Sequence, residues 1–190
     1  MKIIRNTAFL ALIVISATGA LAQSDDENNS KYKLLATKRT GTMQKEVDEV
    51  AAQGYRILVG SPTAGKEMAV FLSLDSTPEK PYSYKLLATK RTGTMNKELN
   101  EMADAGFRLI PSTMISKEMA WGDDVEIVML LEKPPVVVKQ YEYKLLATTR
   151  TGTLQKEVTE AQAAGYKIVG MVSRGEHMVV MEREIDFGKN

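Results

Sequence analysis

One repeated sequence pattern constrains the fold of this chain more than any other feature. The pattern Tyr-Lys-Leu-Leu-Ala-Thr-x-Arg-Thr-Gly-Thr occurs three times, at residues 32–42, 84–94 and 143–153. A repeat of roughly 45 residues is near the lower size limit for a domain that folds alone without disulfides or metals. We therefore expect the three repeats of this 190-residue chain to share buried surface.

The first half of each repeat predicts a strand followed by a helix. Residues 32–37 alternate between two faces, as a strand does. Met43, Val47, Val50 and Ala51 then recur at helical spacing and form one apolar stripe. Between these segments the sequence turns, and a threonine is expected to be the helix N-cap.

The second half of each repeat predicts two more strands. Gly54 suits the left-handed position that ends a helix, and residues 55–59 and 68–74 have strand patterns. The last strand is the most continuously apolar, which favours a central place and the spatial order one-three-two; the order one-two-three is the alternative. The predicted fold class is α+β, with three tandem β-α-β-β repeats. Each is a three-stranded, mainly antiparallel sheet with one helix on a face. The repeats are joined through their sheets or arranged about a pseudo-threefold axis.

The N-terminus has the pattern of a secretory signal peptide. Lys2 and Arg5 are followed by the short apolar run 8–17, and residues 20–22 fit a small-x-small cleavage site, with cleavage predicted after Ala22. The apolar run is shorter than the ~20 residues of a spanning helix. We therefore expect a periplasmic or secreted protein without a membrane span once the signal is removed.

The chain divides into a signal peptide, a polar leader and the repeats. We expect the leader to be flexible, because its Asp, Glu, Asn and Ser residues have nothing to bury. Proline-bearing linkers separate the repeats, and the valines at 136–138 suggest a short edge strand. The predicted boundaries are 1–22 for the signal, 23–30 for the leader, and 31–75, 83–133 and 142–186 for the repeats.

Composition excludes several classes of function. The chain has 25 basic and 24 acidic residues, so it lacks the charge excess typical of proteins that bind nucleic acid. It contains no cysteine, which excludes disulfides and thiol chemistry. His177 is the only imidazole and the acidic residues lie on a predicted solvated helix face, so no catalytic residue is predicted.

The sequence resembles a family of short bacterial modules classed as a domain of unknown function. The resemblance rests on Tyr-Lys-Leu-Leu, on a helix that ends in Ala-x-x-Gly-aromatic-Arg/Lys-Ile/Leu, and on the final apolar strand. It covers each repeat and implies β-α-β-β modules. It implies no catalytic residues.

The repeated Arg-Thr-Gly-Thr is the best candidate binding site. A basic side chain and hydroxyls at a helix N-terminus can hold a phosphate, sulfate or carboxylate. The simpler interpretation is structural: threonine caps the helix, with Thr42 as the better N-cap in the first repeat, and glycine turns the chain. Arginine then pairs with a nearby carboxylate, such as the helix glutamate, or lies along the sheet. The candidate anion-binding residues are Arg39, Thr40, Gly41, Thr42, Arg91, Thr92, Gly93, Thr94, Arg150, Thr151, Gly152 and Thr153.

Two further features bear on partners and metals. Residues 111–124 form a longer connection in the second repeat and carry Trp121, a candidate partner contact. Methionines at 68, 119 and 178 precede apolar segments and could bind copper beside His177, but core filling is the favoured interpretation. No metal or cofactor is predicted.

We expect an exported, non-enzymatic repeat protein that binds an unknown protein partner; the alternative is a periplasmic protein that binds a small anion or ligand.

Overall fold

The structure, a computed structural model, describes residues 30–63, 66–75, 80–119 and 124–186. The predicted signal peptide, all of the predicted leader except Ser30, and Trp121 lie outside the described residues. Lys31–Asn190 forms one compact unit.

Each repeat folds as a module with one helix and its own antiparallel sheet. Module 1 contains β1 (Tyr32–Thr37), α1 (Thr40–Ala51), β2 (Tyr55–Pro62) and β3 (Met68–Leu74). Module 2 contains β4 (Ser83–Thr89), α2 (Thr92–Asp104), β5 (Arg108–Leu109), a 3₁₀ turn (Pro111–Thr113), β6 (Ile115–Glu118) and β7 (Val125–Lys133). Module 3 contains β8 (Gln140–Thr148), α3 (Thr151–Ala163), β9 (Lys167–Ser173) and β10 (His177–Ile185).

The last strand of each module lies in the centre of its sheet. The spatial orders are β1-β3-β2, β4-β7-β5 and β8-β10-β9, and all pairs are antiparallel. The predicted α+β class and the order one-three-two are confirmed, and the order one-two-three is wrong. The strands β7 and β10 are buried on both faces, whereas one face of β3 is partly exposed at Phe71. All three carry the continuous apolar run that predicted a central place.

Two connections differ from their predicted form. The long connection of module 2 contains β6, which pairs with β7 and adds a fourth strand to that sheet. The predicted edge strand in the second linker is absent, since residues 136–138 are not in a strand and Val136 and Val138 are 70% and 72% exposed. Two prolines precede these valines and lack the N–H that a strand ladder needs.

Helix α1 belongs to the core of module 2 as well as to that of module 1. Its apolar stripe packs on its own sheet, and the same buried cluster includes Tyr84, Ile110, Ile115, Val128 and Leu130 of module 2. Helix α2 repeats this arrangement with Tyr141, Tyr143, Leu145, Met178 and Val180 of module 3. The modules are thus joined by a helix of one module packing on the sheet of the next, and not through fused sheets.

Among the described residues, helix α3 packs on the sheet of its own module and joins no cluster of another module. Its cluster contains Tyr166, Val179 and Met181, with Leu154 and Val158 only partly buried at its margin. The equivalent residues of α1, Met43 and Val47, are fully buried. The outward side of α3 therefore lacks the cover that a following sheet gives to α1 and α2.

Candidate functional site

The candidate anion-binding segments lie where the first strand of each module ends and its helix begins. We refer to them as corners 1, 2 and 3. The corners comprise Arg39, Thr40, Gly41 and Thr42; Arg91, Thr92, Gly93 and Thr94; and Arg150, Thr151, Gly152 and Thr153. The structure places them in three different environments.

The helix in corner 1 begins earlier than predicted. Arg39 is the N-cap residue and no side chain caps the helix, so the expected role of Thr42 is wrong. The N–H of Arg39 instead donates to Oγ1 of Thr37 at 3.3 Å, which turns the chain into the helix at Thr40. No acceptor among the described residues reaches the N–H groups of Thr40, Gly41 and Thr42. These groups carry the positive end of the helix dipole.

Corner 1 borders a cavity between modules 1 and 2. The cavity has a volume of about 490 Å³, and Gly41 is open enough that a Cβ there would meet no atom within 4 Å. Neither Lys38 nor Arg39 forms an ion pair through its side chain within the described ranges. The cavity is lined by Lys38, Arg39, Thr40, Gly41 and Thr42 of module 1 and by Lys117, Met119 and Glu126 of module 2.

A buried ion pair forms the module 2 wall of this cavity. Nζ of Lys117 lies 2.8 Å from Oε1 of Glu126, and the two side chains are only 5% and 14% exposed. The charges of this pair cancel. The positive charge that faces the cavity therefore comes from Lys38, Arg39 and the start of α1.

Corner 2 is filled by a carboxylate of module 3. The Thr92 hydroxyl donates to Oε1 of Glu176 at 3.1 Å, and Arg174 pairs with the same oxygen at 3.3 Å. Arg174 also donates to the carbonyl oxygen of Lys90, whose ammonium pairs with Asp124. The chain thus supplies its own anion at this helix N-terminus, through Arg174 and not through the arginine of the motif.

At corner 3, no carboxylate of the described residues bonds the side chains of the motif. All four residues of this corner are exposed, namely Arg150, Thr151, Gly152 and Thr153. Within the described residues, no further module follows module 3. The side chains of Arg39, Arg91 and Arg150 form no ion pair among the described residues, so the predicted pairing of these arginines with carboxylates is wrong. Identical sequence motifs therefore have unequal capacity to bind a ligand.

The most extensive polar contacts join successive modules and were missed by sequence reasoning. Arg56 forms a bidentate pair with Glu132 at 3.0 and 2.7 Å, and its guanidinium lies 4.4 Å from the ring centre of Tyr82. The hydroxyl of Tyr84 accepts the N–H of Ile57 at 3.2 Å. The hydrogen bond to Glu132 raises the pKa of Arg56, and burial raises the pKa of Tyr84.

The same contacts recur between modules 2 and 3. Arg108 pairs with Glu182 at 3.1 and 2.8 Å and lies 4.3 Å from the ring centre of Tyr141. The Tyr143 hydroxyl accepts the N–H of Leu109 at 2.9 Å and donates to Glu182 at 2.8 Å. A signal for this arrangement exists in the sequence, because each module-joining Tyr-x-Tyr is accompanied by a glutamate in the last strand of the same module.

The helices also bond the exposed edge of the next sheet. Gln44 donates to the carbonyl of Tyr84 at 3.1 Å and accepts the N–H of Leu86 at 2.7 Å. In the second interface, Asn96 accepts the N–H of Leu145 at 2.9 Å, and Asn100 bonds both backbone groups of Tyr143. These amides satisfy strand-edge groups that would otherwise be unpaired.

The methionines do not occupy equivalent places. Met68 pairs with Thr37, but the residue that pairs with the equivalent Thr89 is Ile127. Met119 follows β6 and lines the cavity at corner 1. Across the residues that the structure describes, no group of three or more His, Cys, Asp or Glu side chains could hold a metal ion.

Comparison with protein-family models, with curated proteins and with solved structures finds no match for this chain. The resemblance to the family of short bacterial modules stays a prediction. Among the described residues, no helix is long and apolar enough to cross a membrane.

Proposed function

We propose that the protein is an exported, non-catalytic interaction module that binds a protein partner through the outer face of module 1. The outer face is the side of the β1-β3-β2 sheet turned away from α1. Leu34 and Val59 flank Phe71 on it as its cross-strand partners. The three side chains are 53%, 44% and 45% exposed, and this exposed apolar row carries the proposal.

The equivalent faces of the other modules are covered. Leu130 of module 2 and Val180 of module 3 occupy the position of Phe71 and are 2% and 0% exposed. A preceding helix covers each of them. Module 1 keeps apolar residues at the same positions without such a cover in the described chain. Apolar residues that lie together on a surface mark interaction sites.

The area of the apolar row limits the binding free energy that it can supply alone. Half-exposed Leu, Val and Phe side chains offer on the order of 250 Å², or roughly 6 kcal/mol at about 25 cal/mol per Å². Association costs about 4–15 kcal/mol before any affinity appears. A partner must therefore contact more of module 1 than this row, and the strand edge of β1 is adjacent to it.

Substitution of the row tests the proposed function. Leu34→Ser with Phe71→Ser should abolish chemical crosslinking to the partner in the native cell envelope. The control is Val136→Ser with Val138→Ser, which replaces two exposed valines that lie outside the outer face of module 1. Equal crosslinking by both double variants would refute the proposal. Export is tested separately by the mass of the mature chain, which should begin at Gln23.

A second function is favoured by the cavity at corner 1. Lys38, Arg39 and the unbonded N–H groups of α1 converge on its 490 Å³ volume, which suits a small phosphate, sulfate or carboxylate. Unlike corner 2, it holds no internal carboxylate that is bonded to the threonine hydroxyl. We propose anion binding for this corner only.

Thermal stabilisation tests the anion site. A ligand at 100 times its Kd stabilises the folded chain by about 2.7 kcal/mol. Phosphate, sulfate or a carboxylate should raise the Tm of the wild type, and Lys38→Ala with Arg39→Ala should remove the increase. Arg150→Ala is the matched control, because it removes the same side chain from corner 3, where all four residues of the motif are exposed. An increase that survives the double substitution, or that disappears in the control, would rule out the site.

A further inference from the structure

Within residues 30–186, as far as the structure describes them, one type of module interface occurs twice, and its two halves recur without a partner element on modules 1 and 3. In each internal interface, a helix amide bonds a strand edge, and helix side chains cover an apolar sheet face. The outer face of module 1 is the sheet half of this interface. The outward side of α3 is the helix half.

The sheet half retains the groups that a helix would contact. Leu34 corresponds to Leu86 and Leu145, whose N–H groups donate to Gln44 and Asn96. No helix side chain of the described residues bonds the edge of β1 at Leu34. The apolar row beside this edge is half exposed, as described above.

The helix half retains the matching groups. Gln155 occupies the position of Gln44 and is exposed. Its side-chain amide donates to Oγ1 of Thr159 of the same helix at 3.4 Å and bonds no other module in the part of the chain that the structure describes. Leu154 and Val158 are partly buried at positions where α1 has fully buried residues. An amide and an apolar stripe are thus available on α3 in the arrangement that α1 uses.

Other positions lack the contacts that make the internal interfaces strong. Ser73 is placed where modules 2 and 3 have Glu132 and Glu182, as its pairing with Tyr32 indicates. Lys167 replaces the interface arginine of the first two modules. An interface between the ends would therefore have the amide and apolar contacts without the bidentate ion pair.

We propose that copies of this protein associate head to tail, with α3 of one copy packed on the outer face of module 1 of the next. This proposal rests on the proposed function, since it names a second copy as the partner of that face. The missing ion pair makes the contact weak, with a Kd in the range of about 10 μM to 1 mM. Because the two surfaces differ, the contact is heterologous and can extend beyond a dimer.

Complementary blocking tests the direction of assembly. Leu34→Arg blocks the head and Val158→Arg blocks the tail, and both sites are partly exposed, so circular dichroism should report a native fold for each. Sedimentation velocity up to about 1 mM should show oligomers for the wild type, monomers for each variant alone, and only dimers for the mixture. A symmetric dimer would instead persist in the tail variant alone. That result, or a wild type that stays monomeric, would overturn the proposal, whereas crosslinking to a different protein through Phe71 would leave the proposed function intact.

Restoring the missing pair tests the assignment of the surfaces. Ser73→Glu with Lys167→Arg should tighten self-association by about tenfold or more, the change expected from ~1.4 kcal/mol. Ser73→Gln with Lys167→Arg is the matched control, because it keeps the size of the side chain and removes the acid. Equal affinities for the two double variants would show that these positions do not meet, and would refute the proposed geometry.

Discussion

Replacing Tyr143 with Phe should weaken the contact between modules 2 and 3. Among the tyrosines that join modules, we expect Tyr143 to show the largest loss of stability when its hydroxyl is removed. The side chain is 3% exposed, and its hydroxyl makes two hydrogen bonds, from the N–H of Leu109 and to Glu182. The substitution keeps the ring and its packing. It therefore isolates the contribution of the hydroxyl.

The expected loss of stability follows from the hydrogen bonds that each partner of the Tyr143 hydroxyl keeps in the variant. The N–H of Leu109 is buried and would have no acceptor, at a cost of about 1–3 kcal/mol. Glu182 keeps its bidentate pair with Arg108, so its additional loss is small. We expect Tyr143→Phe to lower the free energy of unfolding by about 2–3 kcal/mol.

The equivalent Tyr84 provides a graded control. Its hydroxyl has one of these bonds, from Ile57, so Tyr84→Phe should cost about 1–2 kcal/mol. Urea denaturation followed by circular dichroism measures both variants. An effect at Tyr84 equal to or larger than that at Tyr143 would refute the reasoning.

Two further predictions concern pH and backbone conformation. A hydrogen bond from Tyr166 holds the pKa of Glu142 below its ordinary value of 4.5. The ionised carboxylate therefore stabilises the folded chain above pH 4.5, and this stabilisation is lost as the pH falls through the pKa of the folded state. The free energy of unfolding of Glu142→Gln should depend less on pH below about 4.5 than that of the wild type. Gly106 has φ +89°, and a Cβ there would lie 2.9 Å from Val137, whereas Gly165 has the same φ with no atom within 4 Å. Gly165→Ala should cost about 1–2 kcal/mol from the backbone conformation alone, and Gly106→Ala should cost more because of the contact with Val137. Urea denaturation that gives the reverse order would contradict this prediction.

The strand order within each module was predictable because the central strand carries a continuous apolar run in the sequence. The apolar runs of β3 and β7 identified them as central strands. Helix ends were predictable where backbone conformation demands glycine, as at Gly54 with φ +92°. These features depend only on residues within a single repeat.

The helix start and β6 were not predictable from the same local rules. The hydroxyl of Thr37, a strand residue, takes the N–H of Arg39, so the helix begins before Thr42. The sequence placed Lys117 in the long connection 111–124, but it lies in β6 and is buried against Glu126 of the adjacent strand. In both cases a polar side chain acts structurally through a partner that propensity alone does not reveal.

The candidate site shows the same limit at longer range. The three corners have one sequence, and what distinguishes them is the following module, which gives Lys117 to corner 1 and Glu176 to corner 2. Arg56 and Glu132 are 76 residues apart. Without the packing of one module on the next, neither the cavity nor the ion pairs could be assigned.

The sharing of each internal helix between two cores also determines how such a chain can grow. A duplicate of module 2 inserted between modules 2 and 3 would bring both a sheet with the interface glutamate in its last strand and an interface arginine in the strand after its helix. It would therefore complete one more full joint while the two terminal surfaces stayed as they are. A copy added at either end would instead meet Ser73 or Lys167 and form an incomplete joint. Lengthening by internal duplication is thus the route that needs no compensating substitution.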